Sequence, residues 1–178
     1  LWIRYEKSYD NFHKDKDRIY LVKAQEDKLI SKYSMGADRN MVPEPLVHYM
    51  RSNFPEIEIA TAFEYYKIYI QETKNNKLLE VQCVNIDSFF YQLFNLEILY
   101  GNLDVINEDY NSIAITEDLA LKLFGKEQAV GKTIVCNDKS ELTIKAVIKN
   151  FSGPSNFSFD ILRGNPLITL FLDKWNIT

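Results

Sequence analysis

Two segments in which apolar and polar residues alternate lie on either side of the turn-forming sequence Lys-Asn-Asn-Lys at 74–77. Alternation with a period of two is typical of a β-strand, so the chain is predicted to form a long antiparallel hairpin, with strands over 57–71 and 79–86. In the first strand the apolar residues occupy odd positions up to Tyr65 and even positions from Tyr66. This change of phase predicts a β-bulge or a bend at that point.

The sequence before the hairpin predicts one strand and one helix. Residues 19–25, with the sequence IYLVKAQ, are rich in β-branched and aromatic residues and predict a strand, and the polar residues 26–40 predict a loop after it. Residues 43–54 carry apolar side chains at helical spacing, with prolines at the start and Pro55 at the end. This pattern indicates an amphipathic helix with one face on a core.

The second half of the chain predicts short helices and strands in alternation. Residues 87–94 predict a short helix, and residues 112–115 predict a strand. A second helix is predicted from Thr116 to Gly125, because Thr116 suits an N-cap, two acidic residues follow it, and glycine suits the residue after the last turn. Two further strands, within residues 133–148, predict another hairpin.

Composition limits the class of protein. The 178 residues are 46% apolar and 26% charged, as in a folded domain, and the net charge of −4 argues against a nucleic-acid partner. No apolar run approaches the ~20 residues that cross a bilayer. Both ends of the chain resemble cut ends, which predicts a piece of a longer protein. On that basis Leu1–Ile3 is either the last turn of a membrane helix or a buried strand.

The sequence FGKEQAVGKTIV at 124–135 contains Gly-Lys-Thr, which resembles the end of a phosphate-binding loop. That motif has four residues between its glycines and lies between a strand and the N-terminus of a helix. Here five residues separate Gly125 from Gly131, a predicted helix precedes the turn, and a predicted strand follows it. The sequence therefore favours a structural turn over a nucleotide site.

Two clusters of charged residues are weak candidates for a metal site. Asp10, His13, Asp15 and Asp17 have ligand-type side chains, but basic residues are interleaved with them, which favours a solvated connector. The stretch 86–118 holds seven acidic residues and no basic one, which favours a solvated acidic face over a cation site.

The cysteines and histidines predict no reaction centre. Cys83 and Cys136 match neither a metal spacing nor a Cys-x-x-Cys redox pair, and both lie in apolar strand patterns. Buried free thiols are the favoured interpretation, and a disulfide between them is the alternative. His48 lies about opposite the apolar stripe of its helix and far from His13, so no catalytic pairing is predicted. The residues thus predict no catalytic, cofactor or metal site.

Four segments of the chain together resemble the MacB-like and FtsX-like ABC transporter permeases. Residues 8–22 are similar to the stretch just outside the first membrane helix of that family. Residues 87–102 resemble the segment in which paired Phe residues precede Leu-x-x-Gly. Residues 111–134 resemble the stretch that runs from a strand through a Thr-capped helix to Phe-Gly and Gly-Lys-Thr, and residues 142–162 resemble the strand and Phe-x-Phe-Asp segment after it.

The resemblance gives structural roles, not catalytic ones, to the residues that match these motifs. Leu21 stands where the family commonly has Arg, Ala146 stands where Gly is frequent, and the segment 156–159 lacks a His, so the subgroup stays open. The matching residues are Tyr9, Asp10, Phe12, His13, Asp17, Arg18, Ile19, Tyr20, Phe89, Phe90, Gly101, Thr116, Phe124, Gly125, Gly131, Lys132, Thr133, Phe157, Phe159 and Asp160.

The resemblance implies an extracytoplasmic domain with an α+β fold in two parts. A porter-like α/β layer would hold residues 1–85 and, on its return, 150–178, and a smaller mixed α/β subdomain, Sabre-like in form, would be inserted over 86–149. The family's ATP is bound by a separate cytoplasmic subunit or domain. The implied partners are therefore a cytoplasmic ABC ATPase, a second permease copy or homologue, and a periplasmic protein, and the implied location is the periplasmic side of a bacterial inner membrane.

Three functions follow, and the first is a non-catalytic domain that relays ATP-driven motion for efflux or for the handling of lipoproteins or peptides. Aromatic residues near the N-terminus would form its root near the lipid, or else part of a core. They are Tyr5, Tyr9, Phe12 and Tyr20.

The other two functions do not need a relay. One is a soluble enzyme with a site like a phosphate loop. The other is an extracytoplasmic module that binds a ligand or partner without a transport role, through exposed rings of the long hairpin at Tyr65, Tyr66 and Tyr69.

Overall fold

The computed structural model describes residues 16–22, 45–72, 77–125, 128–151 and 158–164 of the chain. These residues contain three α-helices, seven β-strands and two short 3₁₀ turns. The helices are α1 (Pro45–Asn53), α2 (Phe90–Phe94) and α3 (Glu117–Phe124), and the 3₁₀ turns are Lys16–Arg18 and Asp104–Asn107. The strands are β1 (Phe63–Gln71), β2 (Leu78–Ile86), β3 (Ile98–Gly101), β4 (Ser112–Thr116), β5 (Thr133–Val135), β6 (Glu141–Ile148) and β7 (Ile161–Gly164).

The seven strands form one mixed sheet in the order β1-β2-β7-β4-β6-β3, and β5 also pairs with β6. The β2–β7 and β4–β6 pairs are parallel, and the other pairs are antiparallel. Helix α3 lies on the connection between the parallel neighbours β4 and β6, which need a crossover. A mixed sheet with few helices confirms the predicted α+β class.

One contact closes the sheet on itself. A single bridge joins Ile70 of β1 to Cys136, which follows β5 directly, and the Asn137 amide donates to the Tyr69 carbonyl at 2.8 Å. Through this contact, the seam, the strands β1-β2-β7-β4-β6-β5 form a ring. The seam is short, whereas the β1–β2 ladder is continuous from Phe63 to Gln71.

The sheet separates two apolar cores, because both of its faces are covered. Successive residues of β4 enter opposite cores, which explains why all of Ser112–Thr116 is buried. The first core contains Ile70, Val81, Cys83, Ile113, Ile115, Leu119, Leu123, Ala129, Ile134, Cys136, Leu142, Ile144, Val147 and Ile161. The second core contains Val84, Ile86, Phe90, Leu103, Ile106, Ala114, Ala146, Ile148 and Leu162.

Of the two alternatives predicted at Tyr65 and Tyr66, a bulge or a bend, the bulge is wrong, because the β1–β2 register is unbroken there. The change of phase has another cause. Phe63 packs on the second core and Tyr66 on the first, so the strand's buried face changes without any bulge.

A bulge does occur, in β6 at Lys145. The register with β4 shifts between the pairs Ile113–Ile144 and Ala114–Ala146, which leaves Lys145 as the extra residue. Gly101 of β3 lies against this bulge at a φ of 84°, and a Cβ there would meet the Lys145 carbonyl oxygen at 2.0 Å. Glycine is therefore required at this position both for its backbone conformation and for space.

Two predicted strands differ from the sequence-based expectation. The long first strand starts at Phe63 rather than Ile57, although its partner β2 is close to the predicted bounds. The strand predicted over 19–25 is absent from its described part, where Tyr20 and Leu21 are exposed by 82% and 60%. A strand needs a hydrogen-bonded neighbour, and none of the described strands pairs with residues 19–22.

The three helices form within their predicted segments. Helix α1 spans Pro45–Asn53 within the predicted 43–54, and α2 lies within the predicted 87–94. Helix α3 starts after Thr116, whose hydroxyl accepts from the Leu119 amide at 3.3 Å, and ends at Gly125, with a φ of 67°.

The single sheet draws strands from all three predicted segments. The porter-like part supplies β1 and β2, the inserted part supplies β3 to β6, and the returning part supplies β7, which lies between β2 and β4. The division into subdomains at residues 85 and 149 stays a prediction.

Candidate functional site

The Gly-Lys-Thr segment forms the turn that leads into β5. Gly131 has a φ of 88° and donates its amide to the Ile144 carbonyl at 2.8 Å, and the Lys132 amide donates to the Ala129 carbonyl at 3.0 Å. The Lys132 ammonium lies 4.7 Å from the centroid of the Phe124 ring. Because both amides are hydrogen-bonded within the fold, they do not converge on a phosphate. The contact between Lys132 and Phe124 also joins the Phe-Gly and Gly-Lys-Thr parts of the motif.

The Phe-Asp pair before β7 fixes that strand between its two neighbours. The Asp160 carboxylate accepts from the Gln82 amide at 2.8 Å, and its own amide donates to the Gln82 carbonyl at 2.8 Å. The Asp160 carbonyl accepts from the Thr116 amide at 3.0 Å, and Phe159 packs edge-on against Phe151. Asp160 therefore joins β2 to β4, a structural role.

The buried carboxylate of Asp87 connects α1 to the end of β2 and the start of α2. Asp87 is 7% exposed. Its Oδ2 accepts from Nη2 of Arg51 at 2.6 Å, and its Oδ1 accepts from Oγ1 of Thr61 at 2.5 Å. The amides of Phe89 and Phe90 donate to Oδ1 at 3.0 and 3.1 Å. We call this cluster of Arg51, Thr61, Asp87 and Phe89 the Asp87 joint.

Arg51 is held on three sides within the Asp87 joint. Its Nε donates to the Ala60 carbonyl at 2.7 Å, and Nη2 contacts the same oxygen. Its guanidinium carbon lies 3.6 Å from the centroid of the Phe89 ring. A buried charge pair with its hydrogen-bonding groups satisfied is stable as a unit, and loss of one partner leaves the other charge uncompensated. The joint therefore fixes α1 to the end of β2 through mostly buried contacts.

Most of the Asp87 joint is absent from the sequence-predicted set, which includes only Phe89. Asp87 precedes a predicted helix and is of a type that caps helices, and this signal could have identified it. No local signal identifies Arg51, because its contact with Asp87 spans 36 positions of the chain.

The N-terminal motif residues lie apart from this joint where the structure describes them. Arg18 pairs with Glu58 at 2.6 Å, with both side chains exposed, and the Tyr20 hydroxyl lies 3.5 Å from the Asp17 carbonyl. His48 is exposed, as predicted. The motif residues outside the described ranges are Tyr9, Asp10, Phe12, His13 and Phe157. Of the aromatic residues predicted to form the root, Tyr5, Tyr9 and Phe12 also lie outside these ranges.

The hairpin tyrosines do not form one exposed run. Tyr65 and Tyr69 are 40% and 45% exposed, but Tyr66 points to the opposite face and packs against the first core. Its hydroxyl donates to Oδ1 of Asn85 at 2.9 Å, and burial raises its pKa. Two of the three rings thus suit a contact surface and the third does not.

Cys83 and Cys136 are free and buried, as predicted. Burial raises the pKa of the Cys83 thiol to about 11 and also raises the pKa of Cys136. Both are therefore weak nucleophiles at neutral pH. Within the described ranges, no group of three His, Cys, Asp or Glu side chains could hold a metal ion.

A cleft of about 270 Å³ opens beside the seam, between β1, the β5–β6 turn and β7. Ile68 and Leu142 line it with apolar surface, and Tyr66, Asp138 and Arg163 supply polar groups. Arg163 is half-buried, and its Nε donates to the Tyr110 carbonyl at 2.7 Å.

Comparison with known proteins identifies a family for this arrangement. The family model of the MacB-like periplasmic core domain matches residues 1–171. Comparison with curated proteins finds no match. None of the helices in the described part of the chain has the length and hydrophobicity that a membrane span needs.

Solved structures share the fold over about three quarters of the chain. A domain of a putative permease protein from Porphyromonas gingivalis matches with a TM-score of 0.60 and 25% identity, over 73% of this chain and 56% of that one. The extracellular domain of the noncanonic ABC-type transporter YknZ from Gram-positive bacteria matches with a TM-score of 0.53 and 11% identity, over 72% and 64%. The periplasmic region of MacB from Actinobacillus actinomycetemcomitans matches with a TM-score of 0.52 and 15% identity, over 73% and 57%. The matched part is thus less than two thirds of each of those chains.

Proposed function

The chain belongs to the MacB-like periplasmic core domain family, and from this membership we propose that it is a non-catalytic lever that relays ATP-driven motion within an ABC transporter permease. The power stroke is generated by a cytoplasmic ABC ATPase and reaches the domain through membrane helices outside these residues. The domain works beside a second permease copy or a homologue, and the motion serves efflux or the handling of lipoproteins or peptides through a periplasmic partner.

The Asp87 joint is the observation that supports a relay. A body that passes on displacement has to be stiff where force enters it, because a soft connection absorbs the movement. The joint ties α1 to the sheet through Asp87, which is 7% exposed and directly follows β2. It also lies at the proposed boundary between the porter-like part and the inserted part.

A distance measurement in the assembled transporter tests the relay. Lys122 is exposed on α3, so Lys122→Cys provides a site for a spin label, whereas the buried Cys83 and Cys136 react slowly. We expect the distance between the label and one on the partner permease to shift between the nucleotide-free and ATP-trapped states. An identical distance distribution in both states would contradict the relay.

The joint is tested in the same transporter with Asp87→Asn. This change removes the buried negative charge and keeps the shape of the side chain, so we expect ATP hydrolysis to continue while the distance shift becomes smaller or broader. Glu97→Gln is the matched control, since Glu97 forms an exposed pair with Lys149. The isolated chain is the enzymatic blank, and ATP hydrolysis by it would count against a non-catalytic domain.

A further inference from the structure

Within the described residues, the outer edge of β1 carries no neighbouring strand at Lys67, beside the cleft at the seam. The Tyr69 carbonyl lies on this edge, because it accepts from the Asn137 amide at 2.8 Å. Backbone groups of alternate residues in a strand face the same edge, so the amide and carbonyl of Lys67 face outward too. Among the described strands only β2 pairs with β1 at Lys67. An open edge of this kind can accept one more extended chain.

Arg163 supplies a fixed positive charge to the cleft. Its Nε donates to the Tyr110 carbonyl at 2.7 Å, and its guanidinium carbon lies 3.6 Å from the centroid of the Tyr110 ring. None of the ion pairs in the described ranges includes Arg163. The guanidinium is therefore oriented by Tyr110 and keeps donors for a carboxylate.

The nearest acids are bonded within their own turns. Asp109 accepts from the Asn111 amide at 3.0 Å and from Oγ of Ser112 at 3.1 Å. Asp138, which lines the cleft, accepts from the amide and the hydroxyl of Ser140 at 2.9 and 2.6 Å. Because the Asp138 carboxylate lies in the same cleft as Arg163, a ligand that carries only negative charge is disfavoured there. A ligand with both a carboxylate and N–H donors suits the pair, because Asp138 has further acceptor capacity.

The cleft is sized for one apolar residue rather than for a large ligand. Its volume of about 270 Å³ lies just below the ~300–1,000 Å³ of pockets that hold drug-sized molecules. Ile68 and Leu142 provide the apolar surface. The cleft therefore combines an open strand edge, a fixed cation and a small apolar pocket. This combination matches the way in which peptides are bound by strand addition.

We propose that this cleft binds the carboxyl-terminal end of an extended peptide. The terminal carboxylate contacts Arg163, the last side chain is apolar and packs on Ile68 and Leu142, and the preceding residues add to the outer edge of β1 at Lys67. This binding does not depend on the relay proposed above, so either can fail alone.

Titration of the chain with a short peptide tests the proposal. The probe is N-acetyl-Thr-Ala-Val-Leu with a free carboxylate, followed by calorimetry and by amide chemical shifts of the 15N-labelled protein. We expect saturable binding with shifts at β1 and at the β5–β6 turn, and a Kd roughly tenfold weaker for the same peptide ending in an amide. Equal affinity for the two peptides, or no binding at millimolar peptide, would overturn the proposal.

Variants separate the two parts of the contact. Arg163→Gln should remove the difference between the free-acid and amide peptides, while Lys149→Gln, a charge removal elsewhere on the sheet, keeps it. Lys67→Pro blocks the outer edge without removing a bond to β2 and should weaken both peptides, and Lys67→Gln, the matched control, should not. Unchanged melting temperatures show that each variant is folded.

A fatty acid is the competing source of the same carboxylate. We expect octanoate to bind more weakly than the peptide and to be insensitive to Lys67→Pro. Octanoate affinity equal to that of the peptide would assign the cleft to free carboxylic acids and overturn the peptide proposal.

Discussion

Near each end of β2 an acidic residue is paired with a basic one, and the two pairs differ strongly in burial. The nitrogen–oxygen distance is 2.6 Å in both Arg51–Asp87 and Lys67–Glu80. The side chains of the first pair are 19% and 7% exposed, and those of the second are 62% and 44% exposed. Contact distance therefore does not distinguish the pairs, and burial sets what each contributes.

This difference separates a stiff end of the hairpin from an adaptable one. At the Asp87 end, removal of one charge leaves the other mostly buried and without a counter-charge. At the Glu80 end, water replaces either partner, and no second described strand pairs with the neighbouring edge of β1 at Lys67. In our proposals the first end transmits force and the second end receives a peptide.

The largest expected effect comes from Asp87→Ala. This change leaves the Arg51 guanidinium buried beside an apolar side chain and removes the acceptor for the first amides of α2. We expect a loss of about 3–5 kcal/mol in the free energy of unfolding, measured by urea denaturation with the slope checked against the parent. Asp87→Asn keeps an oxygen acceptor and should lose less. A loss within 1 kcal/mol for the alanine variant would remove the difference between the two ends.

A smaller effect on the free energy of unfolding is expected when the pH is raised, and it arises from the buried thiol of Cys83 in the closed sheet. Burial raises the pKa of Cys83 to about 11, against an ordinary value of 9.0. Above pH 9 the unfolded chain loses the thiol proton before the folded chain does. The contribution of this thiol to the free energy of unfolding is therefore complete below pH 9 and is lost as the pH rises toward 11. The two-unit difference corresponds to roughly 3 kcal/mol at most.

Cys83→Ala tests this pH dependence by comparison of urea midpoints at pH 8 and pH 10.5. The variant has a cavity and is less stable throughout, but its loss between the two pH values should be smaller than the parent's. Tyr66, whose pKa burial also raises, adds a loss of the same sign in both proteins. Parallel pH profiles for parent and variant would show that Cys83 is not held protonated by burial.

Features of this fold that depend on neighbouring residues could be predicted from sequence. The helix from Thr116 to Gly125 is set by its own cap residues, and the turn at Gly131 follows from the missing helix after Gly-Lys-Thr. The predictions failed where contacts with a distant part of the chain determine the local structure. The change of phase at Tyr65 predicts a bulge or a bend, and the bulge is wrong because the sequence does not show that both faces of the sheet are covered.

The candidate sites depend on contacts that the sequence does not encode locally. The Asp87 joint needs α1 to approach the end of β2, and the cleft needs Ile70 to meet Cys136 across the closed sheet. The resemblance to the permease family supplied the fold and the class of protein, but those of its motif residues that the structure describes lie mostly in turns, caps and packing contacts. The charged residues that form the two candidate sites, Arg51, Asp87 and Arg163, lie outside that motif set.

The smallest expected effect comes from Glu80→Gln, and it is the sharpest test of the comparison. Hydrogen bonds from Lys67 and Tyr69 lower the pKa of Glu80, at 2.6 and 2.7 Å. A lowered pKa stabilises the fold above the ordinary pKa of Glu80, and this benefit is lost as the pH falls through the folded value, so any loss caused by Glu80→Gln is present at pH 7 and disappears in acid. Because the pair is exposed, water and salt screen it, and we expect a melting temperature equal to the parent's at pH 7 and unchanged by salt. A loss comparable to that of Asp87→Ala would mean that contact distance, and not burial, sets the strength of these pairs.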